Sequence, residues 1–411
     1  MYRWYANGER RQNPAILHMS RDSGDIEDSF IVKYRVLRNA SNLLPCAVMN
    51  RILLIISLFV FSLNLLAETR HLKIPNLSDE NILAYNAGIR PYRTSGMRIE
   101  AEEFQGKSLI HNYGHGGAGI SLSWGSADEA IKLMHVHFAP KAGSTIAIMG
   151  AGVMGLSVAN QLLDQGYHVR IYAKDFEDTT SVVAGGLWEP FGIAIPESDR
   201  AKELFEKVKQ VSHDYFHELA TSPSPKYKGV SYKSAYSFAR PDEPMKMKPG
   251  WQVVDVLFEN STRKIARETE LMLIETPTYM HELSRNALER GVIFVSHEFG
   301  SSSDVAALEE EIIFNCLGFG SREIFGDTDL IPIRGQLVYM KPTQGVDYFA
   351  FARTDRDDVF LTTFPYKDKY ILGGSYEKYE DFSLTTPEVR DKILENARRL
   401  FSPSSAKNDE L

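Results

Sequence analysis

A short apolar segment that leads into a glycine-rich turn constrains this chain more than any other feature. Residues 145–149 (TIAIM) have the composition of a buried strand, Gly150-Ala-Gly-Val-Met-Gly155 follows, and a helical apolar pattern extends to Leu163. In this order Gly150 permits a tight turn, Gly152 lets the backbone approach a pyrophosphate, and Gly155 allows the helix to pack closely on the strand. The segment predicts a dinucleotide-binding unit of the α/β class, and three ordinary turn glycines are the alternative.

The sequence after this helix supports the same prediction. Gly166 ends the helical pattern, and residues 168–173 (HVRIYA) provide a second strand at the expected distance. An acidic residue at the end of that strand would bind the adenosine ribose, and Asp175 is the candidate, one position late. Lys174 beside it favours a phosphate, as in NADP, or marks a solvated strand end.

A later strand is expected to approach the cofactor from the other side. Residues 311–315 (EIIFN) are apolar in character and lead into Cys316-Leu-Gly318. A buried strand with an ordinary turn is the alternative. Because Cys316 lies at an apolar strand end, it is expected to be an inert core thiol and not a nucleophile.

Composition restricts the class of partner and cofactor. The 411 residues are 43% hydrophobic and 24% charged, which is typical of a globular protein, and this length predicts two domains or one large discontinuous one. A formal net charge of -8 argues against a nucleic-acid-binding surface. With Cys46 and Cys316 as the chain's two cysteines, a disulfide scaffold, a zinc knuckle and an iron-sulfur cluster are excluded, so any cofactor must be organic.

One uncharged segment predicts export. Residues 52–67 (ILLIISLFVFSLNLLA) follow Arg51 and are shorter than the roughly 20 apolar residues that span a bilayer. We expect residues 49–67 to be a secretory signal peptide cleaved after Ala67, with Met49 as the biological start and residues 1–48 outside the mature protein. The protein would then be periplasmic or secreted, and would meet a membrane only through this segment. A core helix or an uncleaved anchor is the alternative, and the protein is cytoplasmic if the segment is not a functional signal.

These and further motifs resemble those of the D-amino-acid oxidase family, which includes D-aspartate oxidases. The resemblance covers nearly all of residues 76–402. Besides the glycine-rich turn, the motifs are Ala173-Lys-Asp-Phe176, Ala184-Gly-Gly-Leu-Trp-Glu-Pro-Phe191, Asn315-Cys-Leu-Gly318, Pro332-Ile-Arg-Gly-Gln336, Leu372-Gly-Gly-Ser-Tyr376, Gly88-Ile-Arg-Pro-Tyr-Arg93 and Ile110-His-Asn-Tyr-Gly-His-Gly-Gly-Ala-Gly119 with Trp124-Gly125. The resemblance implies FAD as cofactor and an α/β fold in which a Rossmann-like FAD-binding domain is interleaved with an α+β substrate domain built on a mixed sheet.

The order of these motifs is unusual. The last two belong at the C-terminal end of the family pattern, whereas here they precede the glycine-rich turn. The sequence therefore looks circularly permuted, with the old termini joined through residues 134–144 and the new cut between Ser402 and Asn76. A tandem duplication is the alternative, but no motif appears twice. We expect an FAD-binding domain of residues 98–190 and 278–330, and a substrate domain of residues 76–97, 191–277 and 331–402.

The resemblance also implies site residues. Arg90 would hold a substrate carboxylate through its planar guanidinium, with Arg93 and Arg98 as competitors. Tyr376 would hydrogen-bond the substrate, and Thr362 and Gly117 complete the catalytic set. The cofactor-binding residues implied are Gly150, Ala151, Gly152, Val153, Met154, Gly155, Lys174, Asp175, Thr179, Thr180, Gly185, Gly186, Leu187, Gly318, Gly116, Gly117, Ala118, Gly119, Ile120 and Ser121.

This chain departs from the family pattern in two places. Thr362-Thr-Phe-Pro365 stands where the family has tyrosine, two aliphatic residues and proline, so a shorter hydroxyl replaces the active-site tyrosine. Tyr366, close by in sequence, is the expected substitute for that tyrosine. The extra glycine in Ala184-Gly-Gly-Leu187 is expected to loosen the loop that lines the flavin.

Residues 114–119 are too rich in glycine to form a catalytic histidine cluster, so we expect their backbone groups to contact the cofactor. The helix after them, which contains Ile120 and Trp124, would direct its N-terminus at the flavin edge on which negative charge develops. His111 and His115 have no third ligand or supporting acid near them in sequence, so no metal is expected.

The resulting expectation is FAD-dependent oxidation of a small amino acid, first of all a D-amino acid, with hydride transfer to the flavin and reoxidation by dioxygen or another acceptor. We expect the protein to bind a small-molecule substrate and not nucleic acid, and to form a homodimer. A glycine- or sarcosine-type amine oxidase, a quinone-linked dehydrogenase and a catalytically impaired FAD-binding protein are the alternatives. Lysines 226, 228, 233, 246 and 248 would attract an acidic substrate side chain or form a solvated face.

Overall fold

The computed structural model describes residues 68–238, 247–352 and 358–403. The expected signal peptide, Met49, Cys46 and Lys246 lie outside these ranges. Within them, no helix is both long enough and apolar enough to cross a membrane.

The described chain alternates between strands and helices. The strands are β1 (Thr69–Leu72), β2 (Ile82–Arg93), β3 (Arg98–Phe104), β4 (Lys107–Tyr113), β5 (Thr145–Met149), β6 (His168–Ala173), β7 (Val230–Phe238), β8 (Gln252–Phe258), β9 (Arg263–Ile274), β10 (Ile293–Ser296), β11 (Ile312–Asn315), β12 (Leu330–Met340), β13 (Tyr348–Ala352), β14 (Val359–Pro365), β15 (Tyr370–Ser375) and β16 (Glu377–Lys378). The α-helices are α1 (Gly119–Phe138), α2 (Val153–Asp164), α3 (Thr180–Val183), α4 (Asp199–Thr221), α5 (Thr276–Glu289), α6 (Ser302–Ala306), α7 (Ser321–Phe325) and α8 (Pro387–Phe401). Short 3-10 turns lie at Asp79–Asn81, Gly116–Ala118 and Gly318–Gly320.

A six-stranded sheet carries the dinucleotide-binding unit, in the order β10-β6-β5-β11-β4-β3. Neighbouring strands are parallel except for the β3–β4 hairpin. Asn315 lies opposite both Met149 and His111, and Met149 lies opposite Tyr172, so the parallel strands end at one edge. The segments that follow these strands meet at that edge, which is where ligands bind in open parallel sheets.

Helices α1 and α2 pack against this sheet and against each other. Their apolar side chains, among them Met134 and Leu156, share one buried cluster with the sheet residue Ile148. Helix α1 crosses α4 at Gly125, where a side chain would overlap the backbone of Val208. This close approach fixes the position of α1.

The connection between α1 and β5 is shorter than expected. Residues 134–144 were expected to be a joining segment, but α1 continues to Phe138, and Met134 is fully buried. Because core packing extends the helix, residues 139–144 alone connect it to β5.

A ten-stranded mixed sheet forms the second layer, in the order β1-β8-β9-β7-β13-β14-β15-β12-β16, with β2 also paired to β12. The β1–β8 and β7–β13 pairs are parallel, and the other pairs are antiparallel. Helix α8 covers part of one face, where Ile393 and Phe401 pack with Val338 and Leu372. The two sheets confirm the predicted fold class of a parallel α/β unit beside a mixed sheet.

Strand β1 was not predicted from the sequence. It pairs with β8, and Arg70 forms an ion pair with Glu268 of β9 at 2.9 Å. The strand lies before residue 76, at which the predicted substrate domain begins, so the sheet starts earlier in the chain than that boundary.

Candidate active site

The glycine-rich turn joins β5 to α2 through backbone geometry that requires glycine. Gly150 has a φ of +103°, which residues with a side chain rarely adopt. A side chain at Gly155 would overlap the carbonyl oxygen of Gly150. The turn is therefore closed tightly, and the first turn of α2 starts directly at the sheet edge.

The N-terminus of α2 is free of a local capping side chain. Gly152 is the N-cap residue, and the Ser181 hydroxyl accepts a hydrogen bond from the Val153 N–H at 3.0 Å. The next amides, those of Met154 and Gly155, lie at the positive end of the helix, where a pyrophosphate binds in turns of this kind.

A second helix N-terminus lies beside the first. The 3-10 turn Gly116–Ala118 leads into α1, and a Cβ at Gly119 would lie 3.8 Å from Met154 Cε. Ile120 and Ser121, in the first turn of α1, are buried. The structure thus brings the two glycine-containing segments together, and two positive helix ends favour an anionic group at this edge.

The residues after β6 occupy different environments. Lys174 and Glu298 form an exposed ion pair at 3.3 Å, and Asp175 is exposed. The Thr179 hydroxyl is buried and has no hydrogen-bond partner in the described part of the chain, while Thr180 begins α3. Because an unpaired buried hydroxyl is uncommon, Thr179 fits a contact with a polar group of a bound cofactor.

The loop of residues 184–188 is held firmly, which corrects the expectation that an extra glycine loosens it. A Cβ at Gly185 would lie 2.7 Å from Cε1 of Phe364, and Gly186 has a φ of +78° and would clash with the carbonyl of Ile274. The Ile274 N–H donates to the Gly186 carbonyl at 2.7 Å, and Leu187 bridges to Leu273. Both glycines are therefore needed for close packing.

The end of β11 lies near β2. Gly318 has a φ of +58°, and a Cβ there would lie 3.8 Å from Cγ of Pro91. Cys316, just before it, is buried, and this burial raises the pKa of the thiol. The thiol therefore stays protonated and is a weak nucleophile.

Arg90 lies on β2 and is half-buried, and the Glu377 carboxylate that acts on it electrostatically is paired with Arg334. The Arg90 Nη1 donates to the carbonyl of Ser375 at 3.1 Å, and Arg90 forms no ion pair with any residue that the structure describes. Burial lowers the pKa of the guanidinium. A Cβ at Gly117 would lie 3.4 Å from Cδ of Arg90, which places the arginine beside the N-terminal turn of α1. A half-buried guanidinium that forms no ion pair with a described residue is available to bind an anionic ligand.

The two competing arginines are already paired. Arg93 forms an ion pair with Asp327 at 2.8 Å, and Arg98 forms one with Glu100 at 2.8 Å. Their guanidinium groups are therefore less available to a substrate carboxylate than that of Arg90.

Tyr376 follows the Ser375 carbonyl that Arg90 contacts. The Arg90 Cζ lies 5.7 Å from the centre of the Tyr376 ring. Burial raises the pKa of the Tyr376 hydroxyl, so the hydroxyl remains a hydrogen-bond donor at neutral pH. A Cβ at Gly192 would lie 3.5 Å from Cε2 of the tyrosine, which places the loop after Phe191 at the same site.

Two residues were candidates for the hydroxyl that the family's active-site tyrosine supplies: Thr362 and Tyr366. Thr362 lies on the same face of β14 as Phe364 because side chains alternate along a strand. Its side chain is largely buried, and its hydroxyl forms no hydrogen bond with a residue in the described ranges. The Tyr366 hydroxyl is engaged with the backbone of Thr276 and Ile274, each at 3.1 Å. The expectation for Tyr366 was therefore wrong, because its hydroxyl stabilises the loop junction.

The remaining candidate side chains have structural partners. His111 lies 2.9 Å from Glu102 and 3.0 Å from Asn315, and His115 lies 2.6 Å from Ser126. Among the lysines expected to attract an acidic substrate, Lys226 pairs with Asp164 and Lys233 with Asp347. These lysines belong to surface ion pairs.

Two contacts of Arg90 were missed from the sequence. The Ser375 carbonyl and Gly335 both border the guanidinium. Gly335 belongs to the motif Pro332-Ile-Arg-Gly-Gln336, to which no role was assigned. Only the pairing of β2 with β12 brings this glycine to Arg90.

The sequence matches a family model and several known proteins. The family model described as "DAO: FAD dependent oxidoreductase" matches residues 145–410. A D-amino-acid oxidase of Streptomyces coelicolor is 30% identical over 267 residues, which cover 62% of this chain and 77% of that enzyme. A human D-aspartate oxidase is 26% identical over 272 residues, covering 62% and 74%. Among solved structures, glycine oxidase from Bacillus cereus matches with a TM-score of 0.43 and 17% identity, covering 62% of this chain and 77% of that one.

Proposed function

The chain belongs to the DAO family of FAD-dependent oxidoreductases, and from this premise we propose that it oxidises a small α-amino acid, first of all a D-amino acid, at the carbon that bears the amine. Its similarity to enzymes named D-amino-acid oxidase and D-aspartate oxidase supports this substrate class.

The described residues fit FAD. The positive N-termini of α2 and α1, the glycine-rich turn and the unpaired Thr179 hydroxyl would hold the dinucleotide. Residues 116–119 and the loop of residues 184–188 would contact the flavin. When bound, FAD supplies the two-electron oxidation, because it accepts the hydride released from the substrate and passes the electrons to dioxygen or another acceptor.

One observation carries the proposed substrate class: the half-buried Arg90 guanidinium forms no ion pair with any residue in the described part of the chain. A guanidinium can bind a carboxylate through two parallel hydrogen bonds. Such binding fixes the orientation of the substrate α-carbon, and the Tyr376 hydroxyl is placed to donate a further hydrogen bond.

The residues at the site work mainly by positioning. The amino acid would lose the α-hydrogen with its electron pair and a proton from its nitrogen, which leaves an imino acid that water hydrolyses to a keto acid and ammonia. A near-attack geometry supplies a large part of such a rate enhancement, on the order of 7–11 kcal/mol. His115, buried and bonded to Ser126, is not needed as a base in this scheme.

The test is an anaerobic titration of the FAD-loaded protein with a panel of D- and L-amino acids, glycine and sarcosine. Loss of flavin absorbance with D-amino acids alone would support the proposal. Loss with glycine or sarcosine alone would identify an amine oxidase of that type. No loss with any member, although benzoate binds, would indicate an impaired enzyme.

We also infer that the chain is circularly permuted. The family match begins at Thr145, the first residue of β5, yet β3, β4 and α1, which precede it, complete the same sheet layer. The end of α8 lies beside the segment that enters β2, since Arg398 contacts the carbonyl of Leu77. In the family order these two segments would be consecutive, and their proximity supports that order.

Export through residues 52–67 is a further part of the proposal and is supported by the sequence pattern. Mass spectrometry of the mature protein from its native host tests it. A chain that starts after Ala67 would support cleavage, and a mature chain that retains residues 52–67 would contradict it.

A further inference from the structure

The space around Arg90 contains a feature that the proposed reaction does not explain. A Cβ built on Gly335 would lie 2.5 Å from both Cζ and Nη1 of Arg90, and it would also overlap Nη2. The φ of Gly335 is not in the left-handed region, so backbone conformation does not require glycine there. The guanidinium itself occupies the volume that a side chain would fill.

We propose that Gly335 is a positioning residue for carboxylate binding, because its missing side chain forms the slot in which the Arg90 guanidinium lies. This proposal rests on the proposed function, in which Arg90 binds the substrate carboxylate.

The geometry of the slot follows from strand pairing. Strands β2 and β12 are antiparallel, with Arg90 opposite Ile333 and Gly88 opposite Gly335. The Arg90 side chain therefore extends along the surface of β12 toward Gly335. At its stem, a Cβ at Gly117 would lie 3.4 Å from Cδ and 3.6 Å from Nε. Glycines thus border both the stem and the planar head of the arginine.

The hydrogen bond to Ser375 orients the guanidinium within the slot, and carboxylate binding depends on that orientation. Nη1 donates to the Ser375 carbonyl at 3.1 Å, which fixes the plane of the guanidinium. Bidentate binding of a carboxylate needs that plane to be held, because both N–H groups must point at both oxygens. A methyl group at position 335 would displace the head and break this alignment, although the charge would remain.

Gly88 provides a matched control. It is the register partner of Gly335 on β2, and its Cβ would lie 3.4 Å from Cγ2 of Thr180, an ordinary van der Waals distance. Gly335→Ala and Gly88→Ala are therefore the same chemical change at paired positions, and one of them collides with Arg90.

The first experiment measures binding of benzoate, a simple carboxylate, by perturbation of flavin absorbance in FAD-loaded protein. We expect Gly335→Ala to weaken benzoate binding about tenfold or more, and Gly88→Ala to change it by less than about twofold. Unchanged affinity in Gly335→Ala, with strong loss in Arg90→Ala, would overturn the slot proposal and leave the proposed function intact. Unchanged affinity in Arg90→Ala would instead contradict the proposed function.

The second experiment separates a slot from a general packing defect. If the alanine methyl collides with the guanidinium, removal of that guanidinium restores room for it. Arg90→Ala/Gly335→Ala should therefore bind benzoate no more weakly than Arg90→Ala, and any loss of thermal stability in Gly335→Ala should be recovered in the double variant. A double variant as unstable as Gly335→Ala would overturn the proposal even if the single variant folds poorly.

Discussion

The Arg398 guanidinium at the end of α8 donates to the carbonyl of Leu77 through Nε at 3.0 Å and Nη2 at 2.8 Å. This contact joins the last described helix to the segment before β2, although the two residues are 321 positions apart in the chain. The two segments lie close enough to be consecutive in the family order, in which Ser402 would connect to Asn76.

A rearranged chain should therefore fold. A variant that begins at Thr145, connects Ser402 to Asn76 through a short Gly/Ser linker and ends at Phe138 keeps α8 beside the entry to β2. We expect it to bind FAD and to melt cooperatively, as judged by flavin absorbance and calorimetry. A control chain cut between Val338 and Tyr339, inside β12, should do neither. Failure of the first variant to bind FAD would contradict the permutation.

Replacement of Arg90 should reduce carboxylate binding selectively. Arg90→Ala is expected to weaken benzoate binding by about 2–5 kcal/mol, the usual effect of removing one partner of a buried charge pair. Arg90→Lys should recover part of this loss, since an ammonium lacks the bidentate fork. Arg98→Ala is the control, because Arg98 is paired with Glu100. Equal effects of Arg90→Ala and Arg98→Ala in the titration would refute the assignment.

Thr362→Val tests the hydroxyl that stands where the family has its active-site tyrosine. Because the Thr362 hydroxyl forms no hydrogen bond with a described residue and its side chain is largely buried, its removal should leave the melting temperature unchanged or slightly higher. If it hydrogen-bonds the substrate, kcat/KM should fall about 2- to 10-fold. Thr363→Val is the contrasting variant, since the Thr363 hydroxyl accepts from the Ala350 N–H at 2.7 Å, and it should lower stability. A kcat/KM unaffected by Thr362→Val would remove Thr362 from the site.

Stability should fall as the pH drops below neutrality, in part through His115. Burial lowers the pKa of this imidazole to about 3, below the ordinary value of about 6.5. Between pH 6.5 and about 3, His115 is therefore protonated in the unfolded chain but neutral in the folded protein. The neutral imidazole's contribution to the free energy of unfolding is full above pH 6.5 and is lost progressively as the pH falls. The loss amounts to about 1.4 kcal/mol per pH unit. Denaturant unfolding at pH 7.5 and 5 should show a shallower loss in His115→Gln, with exposed His135→Gln as control. Identical slopes in His115→Gln and wild type would contradict this origin.

Local patterns in the sequence were sufficient for the dinucleotide unit. The φ of Gly150 and the close packing at Gly155 follow from a strand, a turn and a helix that are adjacent in the chain. This prediction required no contacts between distant segments, because β5, the turn and the first residues of α2 are consecutive in the chain.

Contacts between distant segments could not be read in the same way. Gly335 reaches Arg90 only because β2 pairs with β12, and Tyr366 is occupied only because the loop of residues 184–188 and the start of α5 converge on it. Strand β1 was missed because its sequence, TRHL, lacks an apolar alternation, as expected of a partly exposed edge strand. In each case contacts with segments far away in the chain, and not the local sequence, determine the structure.

The pairing of β2 with β12 has a consequence for synthesis of the protein. Arg90 and Ser375 are separated by 285 positions, and the strand that carries Arg90 pairs with β12 and with no other described strand. During translation β2 therefore emerges long before its partner, as does β4, which pairs with β11. These edges stay unpaired while most of the chain is made, and such long-range pairing folds slowly and exposes aggregation-prone surface. We therefore expect folding of the nascent chain to depend on chaperones, and the rearranged chain described above should depend on them less, because β11 and β12 are made before β4 and β2 in it.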